Sequence, residues 1–290
     1  MPAQNLTAGG VLGAIFGTLG LSALAGLLVT VMVAPAIAVT GVTASSTIGI
    51  FDSLPDYIEL DEGSQQNQII AYNDDGDVVN IATGFYQNRE QISLDEMSPY
   101  LAQAAIAGED RRFYEHGGVD LPSVIRAALG QATGEDAGGA STLTMQTVRN
   151  IIVTQIVNNP DYDIDTQTEL IAEALDPSID RKLREMKLAI GLEQRYTKEE
   201  ILTGYLNIAG FGGNTYGVQA ASEQYFSKDA SELTIAEAAS LIAIVQYPNA
   251  RSLATPDNYA ANQERRDVIL TAMHEEGYIT LEERDEALAI

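Results

Sequence analysis

GEDRRFYEHGGVD runs from Gly108 to Asp120. Two acids and two arginines stand side by side, and an aromatic pair and a histidine follow. A helix here would place Glu109, Phe113 and His116, four and three residues apart, on one face. That face is unusual: a core stripe has no use for a carboxylate, and a solvated stripe has none for Phe and His. The ordinary reading is a helix end with solvated charges and Phe113 packed inward. The sharper reading is a carboxylate set against apolar walls, where desolvation lets it exchange a proton near neutral pH. Arg111 and Arg112 would oppose that change, and the balance depends on burial.

The surrounding chain limits what this stretch can serve. Its 290 residues suffice for a membrane anchor plus one large domain or two small ones, and 46% apolar composition allows a real core. Cysteine is absent, which excludes disulfides and thiolate metal sites. The two histidines, His116 and His274, are too few for a His-rich zinc site. A net charge of −25 argues against nucleic acid and against general attraction to anionic headgroups. An anionic ligand would have to meet a local basic cluster.

After Met1 the first charged side chain is Asp52. Val11 to Val33 reads VLGAIFGTLGLSALAGLLVTVMV, followed by Pro35. That run exceeds the ~20 apolar residues that span a bilayer, so it reads as an anchor. A cleaved signal peptide would have a shorter apolar part, roughly 7–15 residues, usually preceded by Lys or Arg. The tail lacks both, so the positive-inside rule gives no orientation. Residues 1–39 are thus expected to be tail and anchor, and 40–66 a connector.

Ile69–Tyr72 and Val78–Ile81 are strand-like runs around a turn-rich Asn-Asp-Asp-Gly-Asp and predict a small β-hairpin. Beyond it the chain reads as helical. Ser98-Pro99 is an N-cap followed by proline at the first helical position. Thr197 with Glu200, and Thr234 with Glu237, form capping boxes. Gly210 to Asn214 is a loop. From about Asn262 the pattern suggests one or two amphipathic helices, broken at Gly277.

Two further stretches bear on chemistry. GGASTLTMQTVRN, Gly138 to Asn150, is a turn with hydroxyls feeding a helix, whose start offers free N–H groups to an anion. Arg149 stands two turns after Thr142, on the same side. It is not a P-loop, because no Gly-Lys-Ser/Thr follows the glycines. RKLREMKLAIGLE, Arg181 to Glu193, sets Leu183, Met186 and Ile190 on an apolar stripe with Arg181 and Glu185 opposite. Taken singly, each is equally an ordinary helix, one capped and one with a surface salt bridge.

Their order changes the reading. EDRRFYEHGGVD, then GASTLTMQ…RN, then RKLRE, then KEEILTGYLN and FGGNTYGVQAASEQYF resembles glycosyltransferase family 51, the peptidoglycan glycosyltransferase domains of class A penicillin-binding proteins. The likeness covers roughly Ile69 to Leu253. It implies a mainly α, lysozyme-like, two-lobed domain over 67–255, with linker helices at 256–290, an N-terminal transmembrane helix and the small hairpin. Residues from Ile151 to about Pro177 would form the small lobe, with IIVTQIV either dipping into the membrane interface or buried.

The resemblance implies polymerisation of lipid II into β-1,4-linked glycan, with inversion and release of undecaprenyl pyrophosphate. Glu109 matches the family's general base on the acceptor hydroxyl, and Glu185 a second glutamate assisting the donor side. Arg149, Arg181 and Lys182 match positions that hold the pyrophosphate. Thr142 and Gln146 match polar contacts beside them. Asp110, Phe113 and His116 complete the substrate-binding set. Three departures stand out: Arg149 where lysine is more frequent, Ala140 for a second glycine, and Met145 where glutamine is common. Lipid II, the growing glycan strand, the membrane and cell-wall synthesis proteins are the implied partners, with the catalytic domain outside the cytoplasm. Carboxylates near a pyrophosphate could hold a divalent cation such as Mg²⁺, but no dedicated cage is visible. The four lysines, Lys182, Lys187, Lys198 and Lys228, fit neither a Ser-x-x-Lys nor a Lys-Thr-Gly motif, so covalent penicillin binding is not expected. A lysozyme-type hydrolase would not need the basic cluster, and a non-catalytic scaffold would not need both glutamates.

Overall fold

The computed structural model describes residues 58–60, 67–72, 78–84, 87–133 and 139–290. The anchor expected at Val11–Val33 and nearly all of the 40–66 connector lie outside them. Among the described residues no helix is long and apolar enough to cross a membrane.

The predicted hairpin is present. β1 (Asn67–Tyr72) pairs antiparallel with β2 (Val78–Gly84), Tyr72 opposite Val78, and the register shifts between Ile69 and Ile70. β3 (Asn88–Arg89) pairs in parallel with β4 (Thr215–Tyr216), a two-residue contact too short to leave a sequence signal.

Local capping chemistry opens most of the helices. In α1 (Pro99–Glu109) proline occupies the first turn, where no N–H is needed, and Ser98 Oγ donates to Leu233 O at 2.8 Å. α2 (Leu121–Thr133) follows Asp120. Thr142 caps α3 (Leu143–Asn158) and Asp163 caps α4 (Ile164–Leu175). Ser178 caps α5 (Ile179–Glu193), and the Thr197–Glu200 box opens α6 (Lys198–Ile208). α7 (Val218–Phe226) precedes α8 (Ile235–Val245), which the Thr234–Glu237 box opens. One turn, α9 (Pro248–Arg251), leads to α10 (Tyr259–Glu275) and α11 (Leu281–Leu288), separated at Gly277 as expected.

Packing sorts the helices into two groups around one core. α8 is apolar over most of its surface and therefore sits inside, against α1, α10 and α11. α3 is the centre of the second group, against α4, α5 and α6. Small residues permit the approach of α1 to α10: a Cβ on Gly108 would lie 3.0 Å from Ile269 Cγ1.

Two helical readings are corrected. The opening stretch is not one helix. α1 ends at Glu109, Asp110 leaves helical geometry (φ −157°, ψ 73°), Phe113–Glu115 make a 3₁₀ turn, and His116 is extended. The cause is Asp110, whose carboxylate accepts from Leu143 N at 2.9 Å and so draws the chain toward the start of α3. In α5 the buried face carries Glu185, Leu188, Ala189 and Leu192, while Ile190 is exposed. The stripe of Leu183, Met186 and Ile190 is therefore not the most buried face; packing and the partners of Glu185 chose another. IIVTQIV is the second half of α3, with Ile151 and Thr154 buried, and the acidic stretch after it supplies α4, which packs on α3.

Candidate active site

Glu109 closes α1, and its side chain is 8% exposed. Gln146 Nε2, from α3, donates to Oε2 at 3.1 Å, and Arg265 Nη2, from α10, donates to Oε1 at 3.0 Å. Tyr205, from α6, stands behind Gln146. Burial and the nearby charge of Glu109 push its hydroxyl well above the ordinary tyrosine range, which keeps it a donor. It donates to Gln146 Oε1 at 3.4 Å, and this leaves the amide nitrogen to face Glu109. Three helices thus fix one carboxylate.

Asp110, Phe113 and His116 form a separate knot. His116 Nε2 lies 3.0 Å from both Asp110 oxygens, and both side chains are 4% exposed. Phe113 is fully buried, edge-on to His116 with ring centroids 6.3 Å apart. Lys198 Nζ lies 4.4 Å from the Phe113 ring centre and donates to His116 O and Glu193 Oε1, each at 2.7 Å. Thr142 Oγ1 accepts from Met145 N at 3.1 Å and donates to Gly118 O at 2.6 Å. The face expected to join Glu109, Phe113 and His116 is therefore divided. Phe113 and His116 support Asp110, which ties α1 to α3.

The third cluster centres on Glu185, which is 2% exposed. Arg149 grips it as a fork, Nε to Oε1 at 2.6 Å and Nη2 to Oε2 at 3.1 Å. Arg181 Nη1 also donates to Oε1, and its Nε to Asp176 O. Lys182 Nζ donates to Ser141 Oγ. Burial pushes the Lys182 ammonium below the ordinary lysine range; Glu185 opposes this, and Arg149 and Arg181 add to it. Among the described residues no group of three or more acids or histidines could hold a metal ion.

The family model described as Transglycosylase matches residues 75–274. The chain belongs to the transglycosylase family. It therefore carries a peptidoglycan glycosyltransferase domain of the kind found in class A penicillin-binding proteins. Penicillin-binding protein 1F of Bacillus subtilis is 38% identical over 205 residues, covering 70% of this chain and 26% of that protein. Penicillin-binding protein 1A of Rickettsia felis is 34% identical, covering 86% and 29%, and that of Clostridium perfringens strain 13 is 34% identical, covering 86% and 35%. The chain thus spans about a third or less of the length of these relatives. The crystal structure of penicillin-binding protein 1A from Haemophilus influenzae is 22% identical, with a TM-score of 0.37, covering 78% of this chain and 20% of that one.

In this transglycosylase a cleft of about 850 Å³ opens beside Glu109. Its walls include Asp110, Asp120, Ser141, Thr142, Arg251 and Arg265. Phe113, His116, Arg149, Arg181, Lys182 and Glu185 are not among its lining residues. The cluster around Glu185 adjoins the cleft at Ser141, through the Lys182 bond. Arg111 and Arg112, expected to oppose Glu109, also line the cleft but pair with other acids. Arg111 pairs with Glu275 at 2.8 Å, and Arg112 with Glu115 and Asp120 at 3.2 Å each. Arg265 supplies the cation instead. Sequence reading missed it, because it lies 156 residues away, in a helix read as a linker. Its one signal was an arginine pair, Arg265-Arg266, in an otherwise acidic segment.

Proposed function

We propose that this chain polymerises lipid II into β-1,4-linked glycan with inversion at the anomeric carbon and release of undecaprenyl pyrophosphate. The observation that carries the reading is the Glu109 carboxylate, held by two donors from different helices at the wall of an open cleft. A carboxylate has about four lone-pair sites, so two remain for a sugar hydroxyl. Glu109 takes the proton of the acceptor's 4-hydroxyl as its oxygen bonds to the donor's anomeric carbon. The bond from that carbon to the pyrophosphate oxygen breaks, and the electron pair leaves with the pyrophosphate. Inverting glycosidases separate two carboxylates enough to admit a nucleophile between them, and a sugar hydroxyl takes that place here.

The leaving dianion needs cations where its charge develops. Arg149, Arg181 and Lys182 are those cations in this reading. The two arginines already hold Glu185, so the pyrophosphate would share them with that carboxylate. Thr142 and Gln146 act by holding α3 and Glu109, and Asp110, Phe113 and His116 by holding the turn between α1 and α2 against the start of α3. The lysozyme-like two-lobed arrangement, the membrane anchor and the extracytoplasmic placement of the domain belong to the same reading. Incubation with lipid II in detergent, followed by sizing of the glycan, tests it. Long strands are expected. Shortening of pre-formed glycan would indicate a hydrolase, and unchanged lipid II a non-catalytic scaffold.

A further inference from the structure

Glu109 stands at an awkward place for a carboxylate. It is the last residue of α1, where the helix presents unpaired carbonyls and the negative end of its dipole. Arg265 Nη2 answers both problems with one nitrogen. It donates to Gly108 O at 2.7 Å and to Glu109 Oε1 at 3.0 Å. The arginine is itself held in place, because α10 carries the fully buried Ile269, Leu270 and Met273 against the core. Gln146 fixes the other oxygen but is neutral, so Arg265 is the cation bonded to this carboxylate.

We propose that Arg265 is a positioning residue for Glu109, making the reaction depend on α10 although that helix donates no base. This rests on Glu109 being the general base. Without Arg265 the carboxylate keeps one tether, to Gln146, and swings about it. A misplacement of an ångström costs up to about 10²-fold in rate. Arg265→Gln should lower kcat for lipid II polymerisation by about 10- to 10²-fold and leave KM within about twofold. Arg265→Lys, which can still reach the carboxylate as a point charge, should recover part of the loss.

The deciding measurement is a double-mutant cycle with Glu109→Gln, with lipid II consumption followed over long incubations. If Arg265 acts through Glu109, adding Arg265→Gln to Glu109→Gln slows the reaction no further. A full additional loss in the double variant, a raised KM at unchanged kcat, or a parental rate in Arg265→Gln would overturn the proposal. Should Arg265→Gln fail to fold, the same cycle with Arg265→Lys gives the answer: its loss must vanish in the Glu109→Gln background. A parental rate in Glu109→Gln alone is a separate outcome, which removes the base assignment before Arg265 is considered.

Discussion

Glu109 and Glu185 both face arginine, yet their surroundings suit them to different work. Glu185 is enclosed by Arg149 and Arg181, while Glu109 borders open space. In Glu109→Gln the amide oxygen can still accept from Arg265, and Gln146 can turn over to meet the new nitrogen. The melting temperature should stay near the parent's while polymerisation falls by ~10²–10⁴-fold, the usual loss with a general base. More than about a tenth of the parental rate would leave Glu109 a structural carboxylate. Lys182 gives a pH prediction. Its proton affinity is lowered by burial, so its charge is lost at lower pH than an ordinary lysine's. Activity that needs the ammonium should therefore decline on the alkaline side. Lys182→Arg should extend that limb to higher pH, since guanidinium stays charged. An alkaline limb unmoved in Lys182→Arg would exclude Lys182 as its origin.

Between elements, the turn from α1 to α2 is held by close backbone approach as much as by side chains. Gly118 has φ +93°, and a Cβ there would lie 2.6 Å from the backbone carbonyl of Ala189 in α5. Gly118→Ala therefore combines backbone strain with a clash against main chain that cannot move alone. A loss on the order of 3 kcal/mol or more is expected in denaturant unfolding. Gly117→Ala is the control, because a Cβ at Gly117 meets nothing within 4 Å. Equal stability of the two variants would show that α5 can retreat from the turn. Side chains from beyond the turn also hold it: Lys198 Nζ donates to His116 O and Thr142 Oγ1 to Gly118 O.

Across the whole molecule, α10 is part of the core. Ile269, Leu270 and Met273 are each 0% exposed. Burying three such side chains contributes roughly 5–9 kcal/mol, comparable with the ~5–15 kcal/mol stability of a whole domain. A chain ending at Thr255 should therefore lose its cooperative thermal transition. A sharp transition near the parental temperature would show that 256–290 is a dispensable linker after all. The proposed reaction carries with it the expectation of a domain outside the cytoplasm. Protease added to intact protoplasts should digest it, and complete protection would reverse that topology.

What the sequence determined by itself was local or ordered along the chain. Capping boxes at Thr197 and Thr234, proline after Ser98, the hairpin and the break at Gly277 each follow from a few adjacent residues, whose chemistry acts within one turn. The family followed from the order of motifs, which needs no coordinates. Tertiary structure alone decided the rest. Helical spacing put Phe113 and His116 with Glu109, but Asp110 bonds a backbone N–H thirty-three residues on and breaks the helix. Periodicity in α5 favoured Ile190, but Glu185 is buried because Arg149 reaches it from α3. Arg265 could not be linked to Glu109 from sequence, because contacts across 156 residues are fixed by how α1, α8 and α10 pack together. Side-chain pairing over such distances depends on packing of whole helices, and no local pattern encodes it.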